Sequence, residues 1–204
     1  MKELIGYKVG EEILDIQSAN SENIHDAQEI YFDNSPDALH IIRHSTAHLM
    51  AQAIKSLYPD ARFFFFFFVD EGFYYDFKTA TKIGEEELEL ISKRMNELAA
   101  AKIDITKYTI TKPQAIEKFQ SDDLKQEVLS HIPSEEVSIY CQDAFEDLCR
   151  GPHVPNTKYL KYFKLTRLAG AYLGGDESKE MLTRIYGIAF ADKESLKAYI
   201  TMME

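Results

Sequence analysis

Residues Ser35–Phe77, SPDALHIIRHSTAHLMAQAIKSLYPDARFFFFFFVDEGFYYDF, decide the fold, because the pattern passes from helical to strand periodicity with almost no linker. Ser35 and Pro36 open a helix: serine suits the cap, and proline's fixed φ and missing N–H suit the first helical position. Ile42, Leu49, Ala53 and Leu57 then recur at helical spacing as far as Tyr58, where Pro59-Asp60 ends the run. Arg62–Val69 and Gly72–Phe77 read as two strands, paired as a hairpin through Asp70-Glu71-Gly72.

Upstream, residues 1–33 read as a small β appendage. LIGYKV and EILDI flank a turn at Gly10-Glu11-Glu12, the polar stretch Ser18–Gln28 is a loop, and Glu29–Phe32 is a further strand. Downstream, Glu85–Lys102 is amphipathic, with Leu88, Ile91, Met95 and Leu98 inward, and Ile103–Ile110 alternates as a strand. Short helices follow near Pro113–Phe119 and Asp122–Leu129. The last third is β-rich, at Val137–Tyr140, Ala144–Leu148, Tyr162–Leu173 and Met181–Phe190, before a helix from Asp192. Helices and strands mixed without regular βαβ alternation predict an α+β fold, a mixed or antiparallel sheet with packed helices, over residues 34–204.

Composition narrows the function classes. Apolar residues make up 45% and charged residues 28%, ordinary for a globular protein. No apolar run approaches the roughly 20 residues of a membrane span, and the first residues lack a signal peptide's apolar segment, so no membrane partner and a cytoplasmic location are expected. Two cysteines, Cys141 and Cys149, are too few for a disulfide scaffold and are expected as free thiols. The net charge of −11 argues against gripping nucleic acid over a broad surface, but not against a pocket that receives only the end of an RNA.

Two short motifs carry chemistry. His44-Ser45-Thr46-Ala47-His48 places two imidazoles on one helix face, on the side away from the Ile42–Leu49–Leu57 stripe and beside Ala51 and Lys55. The pattern lacks the glutamate of a zinc-protease helix. Cys149-Arg150-Gly151-Pro152-His153 is a turn after a strand, able to bring a thiol and an imidazole together. Either motif alone is as well explained by packing. Jointly they allow a tetrahedral zinc site, a Cys–His nucleophile, or a metal-free pocket that positions a water; spacing does not choose among them.

The blocks RHSTAHLMAQAIKSLYPDA, GFYYDF, FEDLCRGPHVPNT, FKLTRLAGAYLGGDESKEMLTRIYG and AFADKESLKAY occur in this order from Ile41 onward and resemble the editing domain of bacterial-type threonyl-tRNA synthetases. The resemblance implies that family's editing fold, with residues 1–33 a reduced, TGS-like version of its N-terminal appendage. It implies hydrolysis of serine from threonine tRNA, with the tRNA 3′ end and the catalytic core of the same synthetase as partners. The pocket would be lined by His44, His48, Cys149 and His153, completed by Lys125, Tyr75, Tyr140 and Asp147, with His44 and Lys125 placing a water and Cys149 a wall residue. Alanyl-type editing domains share the paired motifs and can hold zinc, but they read Cys-Gly-Gly-Thr-His; Cys-Arg-Gly-Pro-His here implies that no cofactor is required. Zinc, if bound, would use His44, His48, Cys149 and His153. The class II catalytic motifs are absent, so no aminoacylation is expected, and the end at Glu204 within a helix suggests a fragment.

One departure stands out. Where the family carries a Gly-Pro turn, this chain has Phe66-Phe67 inside six consecutive phenylalanines, Phe63–Phe68. A ring at Phe66 would lie where backbone otherwise approaches substrate. Three alternatives follow: a non-catalytic module that orients tRNA with a blocked pocket, a zinc-dependent alanyl-type hydrolase, or an unrelated metalloprotein.

Overall fold

A computed structural model describes residues 1–204. Its centre is α1 (Pro36–Leu57), with Pro36 at its start, Asp37 in the first turn and Lys55 in the last, matching the helix dipole at both ends. Almost every residue from Ala38 to Ile54 is buried, on all sides. This corrects the expectation that the histidine face looks away from the core, and Leu57, placed in the stripe, is exposed. The helix is enclosed because three layers meet it, so it has no solvent face for a single stripe to mark.

The first layer is the appendage: β1 (Leu4–Val9), β2 (Glu12–Asp15) and β3 (Gln28–Tyr31) form a sheet in the order β2-β1-β3. Ile5 and Ile30 join the same core cluster as α1. The second is a four-stranded antiparallel sheet ordered β4-β5-β10-β9, made of β4 (Arg62–Val69), β5 (Gly72–Lys78), β9 (Tyr162–Tyr172) and β10 (Met181–Phe190). Its inner face gives Phe73, Tyr75, Phe77 and Ile185 to the core. The third combines α2 (Glu85–Ala100) with the antiparallel sheet β6 (Ile105–Thr111), β7 (Glu136–Gln142) and β8 (Phe145–Leu148). Short helices α3 (Lys112–Lys118) and α4 (Asp123–Ser130) precede β7, and α5 (Lys193–Met203) ends the chain. Helices mixed with antiparallel sheets agree with the α+β expectation. Single helical turns at Thr157–Tyr159 and Leu173–Gly175 are additions that no periodicity signalled.

Register decides what β4 does with its phenylalanines. Phe63 pairs with Phe77 and Phe66 with Tyr75, with an irregularity between them, so both rings turn inward. Phe64 packs with Leu124, Val128 and Leu182 in a satellite cluster under α4. Phe67 stacks outward on Tyr74, 5.2 Å between ring centres. On that outer face Tyr74 lies against Tyr186, with Arg184 over Tyr74 and Arg167 over Tyr186, as cross-strand neighbours do.

Candidate active site

The site forms where α1 meets the turn after β8. His44 and His48, one helical turn apart, present their rings 5.1 Å apart. The turn from Cys149 to Val154 crosses this face and is held to α1 by the Val154 N–H, which donates to Ser45 Oγ (2.9 Å). It is held to β7 by the Ser138 hydroxyl, which donates to the Cys149 carbonyl (2.5 Å). Gly151 is required there: its φ is +81°, and a Cβ would stand 2.3 Å from the Tyr140 hydroxyl.

Two sequence motifs a hundred residues apart therefore converge. His44 Nε2 lies 3.0 Å from Cys149 Sγ, and His153 Nε2 lies 3.2 Å from the same sulfur. The Gly151 N–H donates to Sγ at 3.2 Å. One ligating atom from each of His44, His48, Cys149 and His153 falls within 4.8 Å of the others. The three imidazoles are buried and the cysteine half-buried.

Asp147, at the end of β8, organises the second side. It lies 3.4 Å from His48 Nδ1 and 2.5 Å from Lys125 Nζ, and it accepts from the Tyr75 hydroxyl (3.0 Å) and the Leu148 N–H (2.9 Å). Lys125 reaches it from α4, whose start Asp122 caps by accepting from the Lys125 N–H. Lys125 thus meets the cluster through Asp147 and His48. A cavity of about 560 Å³ opens on this side, with Lys125, Asp147, Gln52 and Phe145 among its lining residues.

These contacts separate the charges. Burial alone would raise the Asp147 carboxyl, but Lys125 and His48 hold it well below the usual carboxylate range. Burial opposes charge on His48 too, yet the Cys149 sulfur and the Asp147 carboxylate outweigh it and lift the imidazole to about 9. His44 and His153 go the other way. Burial, then their histidine neighbours, push both well below the ordinary value, so both are neutral at pH 7. One protonated imidazole thus sits beside two neutral ones. His48 Nε2 and His153 Nδ1 are buried without hydrogen-bond partners, and buried polar atoms are rarely left so unless something else meets them.

Tyr140, assigned to the pocket by resemblance, lies with its ring 4.2 Å from that of His153. Its hydroxyl donates to Asp15 (2.6 Å), a residue of the appendage that no motif pointed to. Phe66 lies on the cluster: its ring centre is 4.4 Å from His44 and 5.6 Å from His48. Phe68 stacks on His40 at 4.5 Å. Every residue expected in the site from sequence is therefore gathered around one buried centre, with an aromatic ring against it.

The sequence is similar to known proteins. Residues 137–186 match the family described as the threonyl and alanyl tRNA synthetase second additional domain. The chain is 66% identical over 203 residues to a threonine–tRNA ligase of Campylobacter jejuni subsp. jejuni serotype O:2, covering all of this chain and 33% of the relative. Threonine–tRNA ligases of Campylobacter curvus (63% over 207 residues, 34% of the relative) and Campylobacter lari (62% over 203 residues, 33% of the relative) are similar in the same way. The chain spans about a third of the length of the curated relatives it matches. No helix is long and apolar enough to cross a membrane. Over its whole length the chain is similar to about one third of a threonine–tRNA ligase, and residues 137–186 carry the synthetase-type additional domain.

Proposed function

We propose that this region is an editing site that hydrolyses the ester between serine and threonine tRNA. The observation that supports it is the convergence of three buried imidazoles on Cys149 and Asp147, where burial disfavours charge on His44 and His153 while the Cys149 sulfur and Asp147 favour it on His48. Hydrolysis needs both kinds. A neutral imidazole, His44 or His153, takes a proton from water as its oxygen attacks the acyl carbon. The protonated His48, fixed by Asp147 and Lys125, stabilises the charge that develops on the carbonyl oxygen. The acyl C–O bond then breaks, the proton passes to the ribose oxygen, and free serine and tRNA leave. Such proton transfer contributes about 10²–10⁴-fold. In this scheme Cys149 holds the two neutral imidazoles rather than attacking, and no metal is required.

Editing of this type answers a limit of recognition. Serine lacks one methyl of threonine, a difference worth only about 1–3 kcal/mol in a binding pocket, so a second site that excludes the larger amino acid raises accuracy. The proposed partners are the serylated 3′ end of threonine tRNA and the remainder of a longer synthetase.

Two observations favour neighbouring readings on the same residues. The four convergent donors fit a zinc ion, with Asp147 orienting His48 from outside; a metal held there by His44, His48, Cys149 and His153 would activate a water. The Phe66 ring against His44 favours a module that orients tRNA with its pocket closed. One experiment separates them: deacylation of serylated and threonylated threonine tRNA by the chain and by Phe66→Gly, with metal content measured in parallel. Release of serine alone is the expected result. Activity only in Phe66→Gly establishes the closed pocket, activity that tracks bound zinc establishes the metal, and no activity in either protein, or equal rates on both substrates, overturns the proposal.

A further inference from the structure

Asp15 closes β2, more than a hundred residues before the turn that carries His153, yet it is 0% exposed and bonded to that turn. Its Oδ2 accepts from the Tyr140 hydroxyl at 2.6 Å and from the His153 backbone N–H at 2.8 Å. Its Oδ1 accepts from the Ser18 N–H at 2.9 Å, which fixes the carboxylate on its own strand end. No cation pairs with it. A buried carboxylate is costly to bring out of water unless donors surround it, and here each contact is a donor of fixed direction: two backbone amides and a phenol. The Tyr140 ring in turn lies 4.2 Å from the His153 ring at an interplanar angle of 31°. One carboxylate thus sets both the backbone of His153 and the aromatic surface against which its imidazole rests.

We propose that Asp15 is a positioning residue for His153, so that the N-terminal strands complete the active site instead of merely preceding it. The inference rests on the editing reading above for its kinetic consequence, but not for its structural one. His153 Nε2 stands 3.2 Å from Cys149 Sγ, and His44 stands 3.0 Å from the same atom, so a shift of His153 disturbs the geometry of both neutral imidazoles. Misplacement of a reacting group by about 1 Å costs on the order of 10²-fold in rate.

The test uses Asp15→Asn, which keeps shape but presents one acceptor oxygen to three donors, and Tyr140→Phe, which keeps the ring and removes only the hydroxyl. At matched folded fraction, kcat for serine release falls about 10–100-fold in Asp15→Asn with KM little changed. The double variant is no slower than Asp15→Asn alone, because both act through one contact. Independently, at fixed pH, the ring-nitrogen resonances of His153 move in both single variants while those of His48, anchored on Asp147, stay. Unchanged His153 resonances overturn the inference. So does a kcat within twofold of the parent where the parent hydrolyses. If the parent releases no serine, the editing proposal fails, and the resonances alone decide whether Asp15 positions His153.

Discussion

Two buried carboxylates flank the histidine cluster, and they are stabilised in opposite ways. Asp147 faces a lysine and an imidazole, with a phenol and an amide as additional donors. Asp15 faces only neutral donors, the amides of Ser18 and His153 and the phenol of Tyr140. The difference divides labour. Charge in the Asp147 corner tunes protonation: with the Cys149 sulfur it favours charge on His48, and Lys125 and His48 keep the Asp147 carboxyl ionised. The Asp15 corner carries no titrating partner near neutrality, since burial, then the charge of Asp15, pushes the Tyr140 phenol far above its ordinary value. It sets geometry alone.

The contrast can be broken most severely at Lys125. Lys125→Met leaves Asp147 buried without its ammonium, and loss of one partner from a buried pair costs about 3–5 kcal/mol. Chemical denaturation should show that loss, and adding Asp147→Asn should recover part of it. Equal stability of Lys125→Met and the parent would mean that the pair contributes nothing.

A smaller effect comes from pH. The folded value for His48 lies near 9, above its ordinary 6.5. The stability it contributes is therefore fully present below pH 6.5 and is lost as pH rises through 9, on the order of 3–4 kcal/mol at about 1.4 kcal/mol per unit. Thermal unfolding of the parent should approach that of His48→Gln above pH 9, while the difference between the parent and Asp15→Ala stays constant. A difference at Asp15 that also shrinks over this range would show that the two corners are not independent.

The smallest expected change is at Asp15 itself. Asp15→Asn keeps one acceptor oxygen and leaves one of the two Oδ2 donors, the Tyr140 hydroxyl or the His153 amide, unmet, at about 1–3 kcal/mol. A cost above that of Lys125→Met would reverse the ranking of the two corners.

Much of this was legible in the sequence because it depends on local spacing. The i, i+4 histidines, the Cys149–His153 turn and the Gly72–Phe77 strand each follow from period or punctuation, and the element order from β1 to α5 matches its reading to within a residue or two at most ends. Resemblance supplied Lys125, Tyr75, Tyr140 and Asp147, which no spacing could join, since they sit on different elements. The orientation of α1 was misread because a helix enclosed by three layers has no polar face, and its few strongest apolar residues imitate a stripe. Asp15 was invisible for another reason. In Glu12-Ile13-Leu14-Asp15 its charge alone argues for exposure, and only the packing of that strand end on the His153 turn buries it.

The cradle around Gly151 limits how this molecule can change. Any side chain there would collide with the Tyr140 oxygen at 2.3 Å and crowd the Asp15 oxygen at 3.1 Å, on a backbone already at φ +81°. A mutational path through residue 151 is therefore shut to single steps. Residues 15, 140 and 151, scattered along the chain, form one steric unit in which a change at the glycine requires simultaneous trimming of the other two.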